Sequence, residues 1–450
     1  MCSPFIHLST LRTYLGYVLP SMLALTLSSV FVILDGVFVG HAVGDAGLAG
    51  INVAYPLITC VNAVATGVGM GGAVISSIER GKGDERAALR ATGNVYLVLG
   101  IAGIPLALLL AAVAKPACAL LGGSGDTLVQ ATHFVQAMAI GIPFQVLSLA
   151  SIALVRNRGD VRYAMFVQLI ATCINIVLDF LFVFEMDLGI RGAGYATIAG
   201  QIFSCCAYVF YFSRKRNRLP REAFRPDRPI LSHIAKLGLA PFGLYLLPDV
   251  TTVVMNVNGN IAGGETAVAA YAALAYVAYI ALMLMQGIAD GSQPLISLCH
   301  GKGEHDEVRR LRNTNFLVAC GLGLLGLAAM VVFAERVPAL FGTSADTAAM
   351  VVAAIPVYAL AFVFYGFTHA SMSYFYATDN GRASSFLVYG EAVLVALVVT
   401  GMTWAFGLGG MWASIAVAQI LLSVVAIVEL RIVGAPHRRA AGEAASEKAR

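Results

Sequence analysis

Residues 75–98 read ISSIERGKGDERAALRATGNVYLV, and residues 296–318 read ISLCHGKGEHDEVRRLRNTNFLV. Each stretch leaves an apolar run, turns through Gly-Lys-Gly, passes a cluster of charges and re-enters an apolar run. The turn Gly81-Lys82-Gly83 recurs as Gly301-Lys302-Gly303, 220 residues later. Pro20 recurs as Pro241, and the run from Gly192 to Gln201 is echoed from Gly409 and Gly410 to Gln419. A repeat of this length means two halves built on one plan.

The composition around the repeat fixes the solvent. Of 450 residues, 59% are hydrophobic and 12% charged, with 46 glycines and a mean hydropathy of +0.80. Soluble domains carry roughly 45–50% apolar and about 25% charged residues. This chain has too little polar surface to cover a water-soluble globule. A soluble enzyme, a disordered chain and a nucleic-acid binder are excluded, and a polytopic helical membrane protein is predicted. Its high glycine content fits membrane-spanning helices.

A span needs about 20 apolar residues. Twelve segments qualify, near 15–40, 50–75, 92–114, 131–155, 163–184, 191–212, 236–261, 267–294, 314–334, 350–376, 384–405 and 409–431. Of the 29 Lys and Arg residues, 26 fall in the termini and the even-to-odd loops; only Lys115, Arg191 and Arg336 fall on the other side. The positive-inside rule then places both termini in the cytoplasm of an inner-membrane protein. The expected plan is an N-terminal six-helix lobe (1–213), a basic linker (214–235), a C-terminal six-helix lobe (236–432) and an unstructured tail (433–450). The linker holds Arg214, Lys215, Arg216, Arg218, Arg221, Arg225 and Arg228 among three prolines. Halves of six helices enter from the same side, so their relating pseudo-twofold axis lies along the membrane normal. Parallel repeats of this kind rock about a central cleft in transporters.

No secretory signal precedes the first apolar run, so helix 1 is expected to be retained. The eight cysteines lie mostly in apolar runs, without metal spacing or a disulfide framework. The glycine-rich 67–72 stretch lies inside span 2 with no strand before it, and reads as close helix packing. No Walker sequence and no enzyme signature stands out, so neither ATP hydrolysis nor catalysis is expected, and no cofactor.

Five acids interrupt the apolar segments: Asp35, Asp179, Asp249, Asp290 and Glu391. A charge at mid-bilayer costs about 2.5–3.5 kcal/mol on insertion scales. None has a basic residue within its own span, so each is expected to take up a proton or hold a cation. Asp35 on helix 1 and Asp179 on helix 5 each lie about five residues from the outer end, and Thr197 about six into helix 6. Asn175, four residues before Asp179, shares its face. Two carboxylates, an amide and a hydroxyl at one depth suit H⁺ or Na⁺. The second half differs, since Asn256 occupies the place of Asp35. Its acids Asp249, Asp290 and Glu391 are candidates for contact with a cationic substrate or for a second ion site.

Tyr276, Tyr279 and Met283 form one stripe, and Tyr358, Phe362 and Tyr365 another. Aromatic faces attract organic cations, and Met tolerates varied shapes. These six residues are the remaining cavity candidates. Pro20 shares a helix with Asp35, so a bend there links ion binding to cavity shape.

DGVFVG at 35–40, with Gly44, Asn52 and AYP at 54–56, resembles the first-helix signature of the multidrug and toxic compound extrusion (MATE) family. RGD at 158–160, NIVLD at 175–179 and GIRGAGYAT at 189–197 look like its fifth and sixth helices, and GSQPLIS at 291–297 resembles staphylococcal-type members. The resemblance spans the whole chain. It implies two six-helix lobes with outward- and inward-facing states, and export of cationic, amphipathic small molecules in exchange for Na⁺ or H⁺. The family's first-lobe ion cluster falls on Asp35, Asn175, Asp179 and Thr197, and its bending proline on Pro20. Some members add acids on helices 7 and 10. Asp249 matches the first, whereas helix 10 here has no acid and Asp379 lies just beyond it. The expectation is a monomeric antiporter. A lipid-linked saccharide flippase of the same superfamily is the alternative, but it calls for basic residues in the cavity.

Overall fold

Backbone inside a bilayer has no water to bond, so each apolar run closes its own hydrogen bonds as a helix. The computed structural model of the chain describes residues 8–340 and 343–448. Within these, the side chains of 8–10, 30–37, 40, 41, 45, 48, 340 and 434–448 lie outside the described residues.

The first lobe comprises α1 (Leu8–Val43), α2 (Asp45–Gly81), α3 (Glu85–Leu120), α4 (Gly125–Asn157), α5 (Val161–Asp179) and α6 (Gly189–Ser213). The helix Arg228–Gly301 breaks at Gly264, where φ is 62° and ψ −155°, into α7 (228–263) and α8 (265–301). Next come α9 (His305–Val332) and α10, whose segments Ala345–Ala359 and Ala361–Ala377 meet at a 44° bend. The helix Gly381–Lys448 breaks at Gly407 into α11 (381–406) and α12 (408–448). The architecture is thus twelve transmembrane helices in two six-helix lobes.

The repeat extends to the backbone of the turns. Gly83 and Gly303 have φ of 86° and 75°, and Gly44 and Gly264 have 76° and 62°. Gly159, at 97°, is matched by Asp379 at 63°. Left-handed turns favour glycine, and aspartate tolerates them better than most residues.

The lobes approach most closely toward the end that carries the basic loops. A Cβ built on Gly67 would lie 2.8 Å from the Gly238 carbonyl oxygen, and one on Gly71 2.5 Å from that of Ile234. At Gly287 and Gly291 the nearest atoms are the Cα atoms of Met22 and Val18, at 2.5 and 2.7 Å. So α2 lies against α7, and α1 against α8, with glycine at each closest approach. The glycine-rich stretch of span 2 is helix packing, with Gly69 set against Ala150 of α4.

Two boundaries differ from expectation. The linker ends at 227 rather than 235, because Asp227 caps the next helix through the Ile230 amide and a proline follows in the first turn. The remainder is folded down: the short 3₁₀ turn Arg221–Phe224 lies on α3. There the Asn94 side chain donates to the carbonyls of Ala223 and Arg225, at 3.4 and 3.2 Å, and accepts from the Asp227 amide at 3.0 Å. The tail expected to lack structure continues as helix to Lys448. Through Pro20, α1 runs as one helix.

Candidate functional site

The first constellation is carried by α5 and α6. Asn175 is 5% exposed and Asp179 is fully buried. The Asn175 amide donates to Asp179 Oδ2 at 3.1 Å and lies 3.5 Å from Thr197 Oγ1. Close helix approach makes this possible, since a Cβ on Gly200 would sit 2.9 Å from the Ala171 carbonyl oxygen. Directly after Asp179 the backbone changes from α- to π-helix over Phe180–Glu185. Such wide turns recur at functional sites and loosen the local hydrogen-bond ladder. The side chain of Asp35 lies outside the described residues. Its helix does reach the π-turn, where Phe38 packs edge-to-face on Phe184 at 5.9 Å.

The second constellation lies between the lobes. Thr59 of α2 lies beside Asp249 of α7. Asn62 receives a bond from the Gln145 amide of α4 at 2.7 Å and lies beside Tyr245 of α7. Tyr279 of α8 lies within electrostatic reach of Asp249. An acid with phenol rings nearby at a lobe junction is a chemically sensible seat for a cationic, amphipathic molecule.

The other cavity candidates divide. Tyr276 is 45% exposed, and Met283 is half-buried. Tyr358 and Phe362 belong to the core of the second lobe rather than to an open cavity wall, at 6% and 3% exposure, with Tyr358 packed on Tyr271. The α10 bend falls between them, so the sequence stripe does not continue along one straight helix. Tyr365 stacks on His369 at 3.8 Å. Glu391, 4% exposed, is likewise inside the lobe, bonded to Gln419 of α12.

Asp290 departs from the expectation of an acid without a basic partner. Its Oδ2 meets the Arg156 guanidinium of α4 at 3.1 Å, across the lobe junction. Beside it, Asn157 and Gln293 exchange reciprocal amide bonds of 2.9 and 3.1 Å. Tyr14 of α1 donates to Asn315 of α9 at 2.7 Å. These contacts form a polar seam between the lobes toward their basic ends. In sequence, Arg156 looks like a loop charge and His369 like one more residue of an apolar span. The overlooked signal is an ionisable side chain within an apolar span.

The sequence profile of the MatE family matches residues 20–181 and 245–402. The multidrug export protein MepA of Staphylococcus saprophyticus is 24% identical over 431 residues, covering 93% of each chain. MepA of Staphylococcus aureus strain MRSA252 is 23% identical over 430 residues, covering 93% of this chain and 92% of its own. Among solved structures, MATE in complex with MaL6 superposes with a TM-score of 0.90 at 20% identity, over 95% of this chain and 97% of that one. The outward-facing conformation of a multidrug resistance MATE family transporter gives 0.86 at 20% identity, over 95% and 96%.

Proposed function

Because the chain belongs to the MatE family, we propose that it is a secondary antiporter that exports cationic or amphipathic small molecules in exchange for H⁺ or Na⁺. The observation that carries this reading is the buried Asp179–Asn175–Thr197 constellation beside the π-turn of α5. A carboxylate, an amide and a hydroxyl, completed by Asp35, offer oxygen ligands to a monovalent cation or a hydrogen-bonded seat for a proton. Both curated relatives named above are multidrug export proteins, which supports the substrate class.

In this reading the termini and basic loops are cytoplasmic. The polar seam then closes the inner side, and the cleft faces out. An external ion reaches Asp35 and Asp179 and draws α1 toward α5. With Pro20 as the yielding point, that movement narrows the first-lobe side of the cleft and expels substrate from around Asp249, Tyr279 and Tyr245. Coupling is reciprocal for binding, so substrate favours the ion-free form.

The test is dye efflux from vesicles under separately imposed Na⁺ and H⁺ gradients. One gradient drives export by the wild type, and Asp35→Asn abolishes that response at normal expression. Efflux like the wild type's in Asp35→Asn rejects the mechanism.

A further inference from the structure

A row of oriented side chains runs from the lobe junction into the second lobe. Arg156 holds Asp290, and Asp290 Oδ1 accepts from the Gln286 amide nitrogen at 2.9 Å. A carboxylate only accepts, so this bond fixes the Gln286 amide, and its oxygen faces His369 Nδ1 at 3.4 Å. Nδ1 therefore carries the imidazole hydrogen, and Nε2 presents a lone pair. That lone pair faces Glu391 Oε2 at 3.9 Å. The row is pinned from the other side too. Thr368 donates to the Gln419 oxygen at 2.9 Å, and the Gln419 nitrogen donates to Glu391 Oε1 at 2.5 Å.

Two acceptors thus confront each other inside the lobe. His369 is 3% exposed and Glu391 4%, and neither Nε2 nor Oε2 has a hydrogen-bond partner. A buried acceptor without a donor is costly. One proton placed between them, with the two side chains drawing in from 3.9 Å to hydrogen-bond distance, supplies the missing hydrogen bond. It also cancels the charge of Glu391, the uncompensated charge in this row, since Arg156 and Asp290 neutralise each other.

We propose that Glu391 and His369 form a proton-binding site in the second lobe, whose occupancy is linked through Gln286 and Asp290 to the Arg156 contact between the lobes. The link has a defined sign. While the seam is closed, Asp290 orients Gln286, Gln286 selects the His369 tautomer, and the lone pair is aimed at Glu391. When the seam opens, Gln286 is released and the proton loses its prepared seat. The proton therefore favours the closed seam. The titratable groups facing Glu391 are His369 and Tyr365, both from α10. From α12 comes Gln419, and α8 contributes Gln286, with Asp290 and Arg156 one step beyond. Asp290 is 13% exposed and Gln286 half-buried, which gives the proton its way in from the junction. Neither Asp35 nor Asp179 enters the row, so the site stands independently of the ion cluster proposed above.

The experiment uses the full chain in lipid nanodiscs without Na⁺, with native cysteines replaced. Spin labels at the exposed turn positions 82 and 302 report lobe separation at the basic end. The double variant Asp35→Asn/Asp179→Asn is the background, to remove first-lobe titration. Acidification is expected to enlarge the short-distance population there. Glu391→Gln places an amide donor against His369 Nε2, so the seam should stay closed at every pH. His369→Gln should abolish the pH response, and Asp290→Asn should lower its midpoint by about one pH unit, a tenfold loss in proton affinity. A protonated-carboxyl infrared band that disappears in Glu391→Gln gives a readout independent of the labels. A pH response unchanged in both Glu391→Gln and His369→Gln, or absent already in the Asp35→Asn/Asp179→Asn background, overturns the proposal.

Discussion

Arg156 of α4 and Asp290 of α8 stand 3.1 Å apart across the junction of the two lobes, with side chains only 9% and 13% exposed. An ion pair this buried contributes little net stability but is expensive to break, because the surviving charge keeps its desolvation penalty. Arg156→Ala should lower unfolding stability by roughly 2–4 kcal/mol, since Asp290 then retains only the Gln286 amide named above. The double variant Arg156→Gln/Asp290→Asn should recover part of that loss. Thermal unfolding in detergent, run as a double-mutant cycle, should give a coupling of about 1–3 kcal/mol. Losses that simply add would show that the two residues act separately.

Backbone packs directly on backbone across the lobes at the paired Gly-Lys-Gly turns. A Cβ on Gly301 would sit 2.1 Å from the Ile78 carbonyl oxygen, and one on Gly81 2.4 Å from that of Leu298. The obstructing atoms are backbone, so no rotamer change relieves the clash. Gly301→Ala should therefore force α2 and α8 apart, at about 1–3 kcal/mol against the closed seam. Gly321→Ala, with nothing within 4 Å of the added carbon, should leave lobe separation as in the wild type. Labelling of half-buried Cys299 by an impermeant maleimide in inside-out vesicles distinguishes them, with several-fold faster reaction expected only in Gly301→Ala.

Much of this architecture is legible in the chain because it depends on local pattern. Apolar run length sets the spans, and the repeated Gly-Lys-Gly turn sets the duplication. What escapes depends on partners far apart in sequence. Arg156 looks like a loop charge until α8 brings Asp290 to it from 134 residues away. His369 and Glu391 meet only once α10 and α11 pack. The π-turn after Asp179 has no composition of its own; FLFVFE reads as ordinary apolar helix. Asn175 and Asp179 are the opposite case, since a spacing of four on one helix guarantees a shared face.

That shared face yields a graded prediction for the first-lobe cluster. Asp179→Asn keeps the hydrogen-bonding shape and removes the charge, so ion-driven efflux should fall by at least tenfold. Thr197→Val removes one oxygen and keeps the volume, which should weaken ion affinity about tenfold, or roughly 1.4 kcal/mol. Thr197→Ser should stay near the wild type. Ion-concentration dependence of dye efflux separates the three. Equal impairment in Thr197→Ser and Thr197→Val would make packing, not the hydroxyl, the contribution of this position.

The basic surface offers a pH test that does not involve transport. His233 precedes the apolar run that begins at residue 236, and its Nε2 lies 2.6 Å from Asp379 Oδ1. The hydrogen bond to Asp379 raises the affinity of His233 for its proton, against a smaller opposing effect of burial. A histidine whose folded-state value is raised contributes stability that is complete below its unfolded value, about 6.5, and is lost as pH rises through the folded value. Both side chains are more than 40% exposed, so solvent screening limits the contribution to below about 1 kcal/mol. His233→Gln should therefore unfold at a lower temperature than the wild type at about pH 6, with the two converging as pH approaches roughly 9. A difference that widened with pH instead would place the interaction in the neutral imidazole and reverse the assignment.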